Sequence, residues 1–424
     1  MFRARLWLVS AMWVPVLAAN FVAVTLGLGL PLLDRHLNDQ PRLPIPLSVV
    51  EQIMGALAGG MITFTGIVFS AVFVAAQIQT SSYSPRLAAR LRRDRVVIAG
   101  LALPTATASY SLFALATIGR EADKSGETVA PALTVGVALL LALVTIGTFV
   151  ALVQRAFDST QIGGILRGLM RRAHHVIEDV HPRAGLPGEL AHMPDRASGA
   201  VAQIRHDGPP AVLAAVDRGA LLRLADQAGA FVEVVPSIGH YVAPDAPTLR
   251  LHGAEREADA ALARRVLVLA RQRTMDQDPA FALRMFVDIA IRGLSPAVND
   301  PTTAVQTIDR IETLLVELHG RHLGSGVVVD ADGAPRGSFP VPEWGEYVDL
   351  ALIEIRHYGA RSAQVARRLR ALHDHLIELV DEPQRPRIEL EQRLLEEQLA
   401  SAFPDPEERA ILSRPDRLGL GSAP

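Results

Sequence analysis

The first 160 residues alternate between long apolar stretches and short charged segments. Four stretches contain no Asp, Glu, Lys or Arg: Leu6–Leu33, Gln52–Pro85, Val96–Gly119 and Thr128–Gln154. Each is longer than the ~20 residues that a helix needs to cross the hydrocarbon core of a bilayer. The pattern therefore predicts a four-span transmembrane domain over residues 1–160, and it excludes a soluble enzyme.

The charges between these stretches predict the orientation. Basic side chains dominate before the first span, after the second and after the fourth, whereas the other two loops carry a net negative charge. Because basic segments remain on the cytoplasmic side, we expect a multi-pass protein of the bacterial inner membrane with its N-terminus and C-terminal region in the cytoplasm. The basic loop after the second span either fixes this topology alone or also binds anionic lipids: Arg86, Arg90, Arg92, Arg93 and Arg95.

The second span carries a stripe of small and polar residues. At about 100° per residue, its members fall within about 40° of Gly59: Gly55, Gly59, Thr63, Gly66, Ser70 and Gln77. Small residues let helix backbones approach closely, so one interpretation is tight packing within the four-helix unit. The other is a stripe that recurs around a symmetry axis and lines or gates a pore, with Gln77 at its cytoplasmic mouth.

The rest of the chain predicts an α+β region in the cytoplasm. Residues 161–198 predict a basic helix and a linker, and residues 199–253 a small β-rich subdomain, because alternating stretches such as Phe231–Val235 are separated by Gly and Pro turns. Residues 254–402 predict a helical domain, with a hairpin turn at Asp330–Gly333. Residues 403–424 predict a disordered tail. The predicted fold class is a four-helix transmembrane unit followed by this β-rich subdomain and a helical bundle.

Two Asp-Pro pairs, Asp278-Pro279 and Asp300-Pro301, predict helix starts, since each puts a capping carboxylate before a proline suited to the first helical position. The helix after Pro279 carries an ion-pair ladder at four-residue spacing: Arg284, Asp288 and Arg292. Oxygen-bearing side chains cluster near the two ends of this helix: Asp276, Asp278, Asn299, Asp300, Thr302 and Thr303. They serve as caps or, alternatively, hold a hard cation or an anion.

The composition excludes several kinds of functional site. The chain of 424 residues contains no Cys, so a disulfide, a Cys-ligated zinc ion, an iron–sulfur cluster and a Cys nucleophile are excluded. Its 13 histidines lack metalloprotease spacing, and the P-loop and dinucleotide fingerprints are absent. We therefore expect no catalytic residue, metal, cofactor or nucleic-acid partner.

Two segments resemble a known family. Residues 63–95 end in a run with Ser84-Pro85-Arg86, and residues 273–304 contain Ala-Val-Asn-Asp-Pro-Thr-Thr at 297–303. Both are similar to the bacterial predicted membrane proteins grouped as the domain of unknown function numbered 2254. The resemblance implies an inner-membrane protein with four spans followed by a cytoplasmic region, and it transfers no catalytic residue.

Two functions from different classes follow. The first is an oligomeric channel or transport-like protein, in which the second span lines the axis and the cytoplasmic domain gates or assembles it. The second is a membrane-anchored sensor or scaffold whose cytoplasmic domain binds an ion, a small molecule or a protein. A homo-oligomer is expected in both cases, because the spans of the anchored sensor or scaffold would also oligomerise. A membrane enzyme is less well supported, because no motif combines a nucleophile, a base and an oxyanion donor.

Overall fold

The computed structural model describes residues 13–36, 43–82, 94–125, 129–160, 162–181, 201–323 and 325–420. The chain divides into two compact units, Met1–Gly164 and Ile165–Pro424. Each unit has hydrophobic clusters of its own.

Long helices dominate the N-terminal unit. Its elements are α1 (Trp13–His36), β1 (Leu43–Pro46), α2 (Leu47–Ser82), α3 (Arg95–Ser125), β2 (Val129–Ala130) and α4 (Ala132–Thr160). Four segments are long and apolar enough to cross a membrane, which confirms the four predicted apolar helices: Trp13–Asp34, Leu47–Gln77, Arg95–Ile118 and Ala132–Arg155. Helix α3 is the most buried of them and packs against α1, α2 and α4.

The two ends of this unit are tied by backbone pairing and by acidic caps. Strand β1 pairs with β2 in an antiparallel manner, so the loops after the first and third spans lie at the same end. At that end, the Asp34 carboxylate accepts hydrogen bonds from the Thr134 backbone N–H at 2.8 Å and from its hydroxyl at 2.7 Å, and thereby caps α4. Asp94 caps α3 through the Val96 N–H and pairs with Arg155 at 2.8 Å.

The C-terminal unit mixes strands and helices. After α5 (Ile162–Val180), its elements are β3 (Val201–Arg205), β4 (Ala211–Val216), α6 (Arg218–Ala228), β5 (Phe231–Val234), β6 (Tyr241–Val242), β7 (Pro247–His252), α7 (Ala260–Val266), β8 (Leu267–Ala270), α8 (Pro279–Gly293), α9 (Pro301–His319), β9 (Ser325–Val329), β10 (Pro335–Pro340), α10 (Trp344–Gly359), α11 (Ala363–Leu379), α12 (Arg385–Ala402) and α13 (Pro406–Leu412).

The strands form two sheets. One has five strands in the order β3-β7-β5-β10-β9 and is antiparallel except for β5 and β10; the other has three in the order β6-β4-β8. Helix α6 contributes Leu221 and Leu224 to the core, where they join Val232 and Leu249 of the five-stranded sheet. Asp217 caps α6, and Gly229 ends it in the left-handed conformation that glycine adopts at low cost.

The sheets extend beyond the β-rich segment predicted at residues 199–253. Strands β9 and β10, joined at the predicted turn Asp330–Gly333, add to the edge of β5, and β8 adds to β4. Gly337 on β10 lies so close to α6 that a Cβ there would be 2.5 Å from Leu221 Cδ2. The later hairpin therefore completes the same core instead of standing in a separate helical domain.

The C-terminal end of the chain also differs in part from the prediction made from the sequence. Within the region predicted to be helical, the stretch Gly345–Leu379 is divided into α10 and α11 around Ala360. The tail from Phe403, predicted to be disordered, contains α13, which Asp405 caps by accepting from the Glu407 and Glu408 N–H groups. Beyond it, the C-terminal segment 413–420 docks on α11, where the Arg367 Nε donates to the Arg414 carbonyl at 3.1 Å.

Candidate functional site

The six residues of the α2 stripe all lie on the exposed surface of the N-terminal unit. A Cβ built on Gly55, Gly59 or Gly66 would meet no atom within 4 Å. The residues of α2 that are buried in the unit lie about 160–260° around the helix from Gly59: Val50, Met54, Ala58, Met61, Val68 and Ala75. The stripe thus faces away from the other three helices.

This geometry corrects the first interpretation of the stripe. Among the described residues, none approaches its glycines, so they do not mediate close packing within the four-helix unit. Close packing occurs at Gly27 of α1, where a Cβ would lie 2.8 Å from the Tyr110 carbonyl oxygen of α3. Phe64 and Val68 lie on the opposite face of α2 and pack inside the unit.

A glutamine side chain lies at each end of the stripe, near the two ends of the apolar segment. Gln77 is exposed, and Gln52 is exposed about 20° around the helix from Gly59. Between them the surface offers backbone and the hydroxyl groups of Thr63 and Ser70, although the Thr63 hydroxyl also contacts the Gly59 carbonyl at 3.3 Å. This face of α2 is therefore uncharged and only moderately polar.

A set of polar groups inside the N-terminal unit was not predicted from the sequence. Asn20 of α1 donates to the Thr105 hydroxyl and accepts from the Ser109 hydroxyl of α3, both at 2.8 Å. Thr107 and Thr145 form a second contact between α3 and α4 at 3.1 Å. The four-residue spacing of Thr105 and Ser109 in a span was the available signal. These bonds hold the unit together, because polar groups in an apolar medium need partners.

The polar cluster predicted around α8 is divided between its two ends. Asp278 caps α8 through the Phe281 N–H, and Asp300 caps α9 through the Thr303 N–H. The Asp300 N–H donates to the Gly293 carbonyl, which places it at the far end of α8, and 15 residues of helix correspond to about 22 Å. Across the described ranges, no group of three or more His, Asp or Glu is arranged to hold a metal ion.

The N-terminal end of α8 is a compact arrangement around Asp278, which is only 3% exposed. Its carboxylate pairs with Arg273 at 2.5 Å. Gln277 accepts from the Val216 N–H at 2.9 Å and so anchors the same segment to the end of β4. Gly239, at φ +89°, passes against this pair, and a Cβ there would be 2.6 Å from Asp278 Oδ2. The segment thus connects α8 to the three-stranded sheet.

The other predicted residues of this cluster have separate positions. Asn299 has a positive φ of 48° in the turn between α8 and α9. Asp276 and Thr302 are exposed, and Thr303 is buried. In the ladder on α8, Arg284 pairs with Asp288 at 2.7 Å and with Glu354 of α10. Arg292 is half-buried on the same helix. The ladder accordingly joins α8 to α10.

Of the basic loop, the structure describes Arg95, which is exposed at the start of α3; Arg86, Arg90, Arg92 and Arg93 lie outside the described residues. Their proposed role at the lipid surface stays a prediction.

Comparison with known proteins identifies the group to which the chain belongs. A family described as "Predicted membrane protein (DUF2254)" matches residues 9–375. The chain is a member of this family. Similar proteins include the uncharacterized proteins Mb1321c of Mycobacterium bovis and Rv1290c of Mycobacterium tuberculosis H37Rv, each 28% identical over 96% of this chain and 79% of its own length. No solved structure matches the chain significantly.

The family match covers the two segments that carried the resemblance. Both the stripe on α2 and the Arg273–Asp278 arrangement fall within residues 9–375. The match ends in α11, so α12, α13 and the C-terminal segment 413–420 lie beyond the DUF2254 region. The membrane unit and the α8–α9 turn are therefore parts of the family's common architecture.

The C-terminal unit of this DUF2254 member contains buried polar groups that the sequence did not reveal. Arg356 of α10 pairs with Glu391 of α12 at 2.9 Å, and the two side chains are 6% and 0% exposed. His373 is buried beside them, and neither ring nitrogen has a hydrogen-bond partner in the described structure. Burial, with the nearby Arg370 and Arg356 charges, lowers the pKa of His373 to about 3.

A second buried histidine lies where α5 ends. His181 Nε2 is 2.8 Å from the Tyr347 hydroxyl, and its Nδ1 is 3.2 Å from the His322 carbonyl oxygen. Burial is the main reason that the pKa of His181 falls to about 4. Both histidines are thus neutral at physiological pH.

The C-terminal unit also has an open polar cleft of about 430 Å³. It is lined by α11, α12 and the C-terminal segment 413–420 through Arg370, Asp374, Ile377, Glu378, Gln392, Pro415 and Arg417. Arg370 is already paired with Asp374 and Glu396, so the cleft offers mainly the guanidinium of Arg417 and the carboxylate of Glu378.

Proposed function

We propose that this DUF2254 member is an oligomeric channel or transport-like protein of the inner membrane, in which α2 of each copy faces the symmetry axis. The observation that carries the proposal is the outward orientation of the α2 stripe. Lipid tails gain nothing from three exposed glycines and two hydroxyl groups on one helix face, whereas a second α2 does, because small residues let backbones approach and hydrogen-bond.

The same stripe supports conduction of a species that does not need a fixed counter-charge. Its surface combines Thr63, Ser70 and backbone with Gln52 and Gln77 at its ends, and no Asp, Glu, Lys or Arg lies between Gln52 and Gln77. Intramembrane charge is the usual requirement for proton relays and voltage sensing, so this surface suits neither. The C-terminal unit then serves to gate or to assemble the oligomer.

The proposed topology has the N-terminus and the C-terminal unit in the cytoplasm. The basic segments support it through the positive-inside rule. The pairing of β1 with β2 supports it as well, because the two net acidic loops share one end of the unit.

We expect a fluorescent protein fused at Pro424 to mature, and one fused after Lys124 of a truncated chain to remain dark. The reason is that a common fluorescent protein matures in the cytoplasm but does not mature after it has been exported across the membrane in unfolded form. Alkaline phosphatase fused at the same two positions serves as the control and should give the inverse pattern. Active phosphatase at Pro424 would refute the proposed orientation.

We expect Gly59→Leu to dissociate the oligomer. The added side chain keeps the α2 backbones of neighbouring copies apart, whereas within one copy it meets open space. Gly60→Leu is the matched control, because Gly60 is equally open within the unit but lies about 100° away from the stripe. Size-exclusion chromatography with light scattering in detergent measures the number of subunits. Equal oligomers for both variants would remove the stripe from the interface.

A flux measurement then separates a pore from an assembly surface. Gln77→Leu leaves the glycines unchanged and removes one exposed amide of the stripe, so the oligomer should persist while ion or solute flux into proteoliposomes changes. Absence of flux in the unmodified protein under every gradient tested would contradict a channel.

The alternative is a membrane-anchored sensor, which the polar cleft beside α11 and α12 favours. In that case Arg417→Gln abolishes binding of a small anionic or zwitterionic ligand, while Gly59→Leu changes only assembly. Thermal-shift screening of the purified full chain against metabolites tests this second function directly.

A further inference from the structure

Helix α5 carries a strongly basic surface close to the membrane unit in sequence. One side of the helix is buried and includes Val176 and Val180, which join the β-sheet core. The opposite side is exposed and carries Arg167, Arg171, Arg172, His174 and His175. From Ile162 to Ile177 the helix has no acidic residue. The basic face of α5, as these five residues are called below, therefore owes its positive charge mainly to its three arginines.

The three arginines of this face have no acidic partner among the described residues. No carboxylate oxygen of the described residues lies within 4.0 Å of a guanidinium nitrogen of Arg167, Arg171 or Arg172. By contrast, His174 on the same face contacts Glu317 of α9 at 2.9 Å. Many arginines of the C-terminal unit are paired, for example Arg356 and Arg368. No carboxylate of the described residues therefore competes with an external anion for these three arginines.

The position of these charges along the chain points to a membrane surface. Arg167 follows Arg155, the last residue of the fourth apolar segment, by 12 residues, which limits their separation to about 40 Å even in extended chain. The acidic residues Glu178 and Asp179 occupy the other end of α5, and Glu178 contacts His174 at 3.6 Å. Along the helix axis Glu178 lies about 16 Å from Arg167 and about 9 Å from Arg172. Electrostatic attraction to a charged membrane surface decays within about 8 Å at physiological ionic strength, so only charges close to the bilayer contribute to binding. The arginines of α5 lie at the end of the helix that is nearest in sequence to the fourth span.

The spacing of the arginines favours a lipid surface over a single bound anion. Arg167 and Arg171 lie one turn apart on the same side of the helix, but Arg172 is about 7.5 Å from Arg167 along the helix and about 140° around it. The three guanidinium groups therefore do not all converge on one phosphate. A bilayer leaflet instead presents many phosphates in a plane, which several diverging arginines contact at once.

We propose that the basic face of α5 binds the phosphate headgroups of anionic lipids in the leaflet from which α4 emerges. The inference rests on the proposed membrane insertion of the four helices, but it requires neither channel activity nor a particular orientation. Docking of α5 on lipid would couple the lipid composition of the membrane to the position of the C-terminal unit.

The absence of cysteine in the chain makes a direct test simple. His175→Cys introduces one thiol on the basic face, to be labelled with bimane in the full chain. The labelled protein is placed in nanodiscs of phosphatidylcholine alone or with about 30% phosphatidylglycerol, and each disc contains a lipid with a headgroup nitroxide. We expect stronger bimane quenching in the anionic discs and a loss of this difference at high salt, because the attraction is screened.

Charge removal identifies the residues responsible. In a chain with Arg167→Gln, Arg171→Gln and Arg172→Gln, the equilibrium constant for docking on anionic discs should fall about five-fold for each arginine, roughly 100-fold in all. The matched control removes three exposed arginines elsewhere in the C-terminal unit, with Arg256→Gln, Arg265→Gln and Arg361→Gln. Unchanged thermal unfolding, measured by Trp344 fluorescence in chains with Trp7→Phe and Trp13→Phe, verifies folding of both variants.

Three outcomes would overturn the proposal. The first is equal quenching of the unmodified protein in neutral and anionic discs, and the second is an equal loss in the α5 variant and its control. The third is a change in neutral discs when about 10 mM inorganic phosphate is added at constant ionic strength, which would indicate a site for a soluble anion. Because the discs have identical leaflets and no gradient, failure here leaves the topology and channel tests unaffected.

Discussion

Replacing Glu391 by glutamine is expected to lower the free energy of unfolding of the C-terminal unit by about 3–5 kcal/mol. Glu391 is fully buried, contacts Arg356 at 2.9 Å and also pairs with Arg387 at 3.2 Å. The substitution leaves the buried Arg356 guanidinium without its counter-charge, and an unpaired buried charge is the costly state. Trp344, the only tryptophan of this unit, packs at the start of α10 and reports unfolding in urea once Trp7 and Trp13 are replaced by phenylalanine.

Two controls define the origin of this loss. Glu382→Gln makes the same chemical change at an ion pair whose carboxylate side chain is 81% exposed, and it should cost less than about 1 kcal/mol. The double change Arg356→Met with Glu391→Met removes both charges and should recover most of the loss, because apolar replacements of a buried pair are often neutral. A double variant as unstable as Glu391→Gln would show that the ion pair itself stabilises the unit.

Acidification from pH 7 to pH 5 is expected to cost the C-terminal unit about 4 kcal/mol through two histidines. The folded pKa values are about 4 for His181 and about 3 for His373, below the ordinary value of 6.5. The unfolded chain therefore binds more protons between these limits, so stability is complete above pH 6.5 and decreases as the pH falls towards 4. At pH 5 each histidine contributes about 2 kcal/mol of this loss. Urea unfolding at several pH values, followed by Trp344, measures it.

His373→Met should reduce the acid-dependent loss by about half. The substitution preserves volume and breaks no hydrogen bond in the described structure, because neither ring nitrogen of His373 has a partner. His240→Gln, at an exposed position, is the control and should leave the pH profile unchanged. An unaltered profile in His373→Met would exclude this residue as a source of the acid sensitivity.

The sequence predicted the elements whose causes are local. Four uninterrupted apolar stretches give four helices, because a span needs only length and the absence of charge. Asp278 and Asp300 cap helices as expected, since capping depends on residues within one turn. The same Asp-Pro signal stands at Asp405-Pro406 in the segment predicted to be disordered, and there it starts α13. The prolines around Asp405-Pro406 favoured a prediction of disorder, although the sequence already contained this capping signal.

The missed strands are those without a periodic signal. Residues 211–216 of β4 form a continuous apolar run, and β4 is the central strand of its sheet because it pairs with β6 on one side and with β8 on the other. Strand β8 follows α7 without any Gly or Pro between them. Pairing between strands far apart in sequence decides both cases, and a one-dimensional pattern of residues does not contain it.

The candidate site shows the same limit. A helical projection assigned the six stripe residues to one face of α2, and the structure has them on one face. Which neighbour that face meets depends on how α2 packs on α3 and α4, and Val68 and Met61 fill that interface instead. The ion pair between Arg356 and Glu391 was equally hidden, because its partners lie 35 residues apart on different helices.

The docked C-terminal segment limits where the protein can be shortened or extended. Its Asp416 N–H donates to the Arg367 carbonyl, the Gln364 amide donates to the Gly419 carbonyl at 2.5 Å, and Gly419 lies against Val305 of α9. Truncation after Ala402, where the last long helix ends, removes the Asp416 donor and the Gly419 acceptor and uncovers Val305. An affinity tag therefore needs a flexible spacer after Pro424, and a protease that trims the carboxyl end would loosen α9 and α11 before it reached α12.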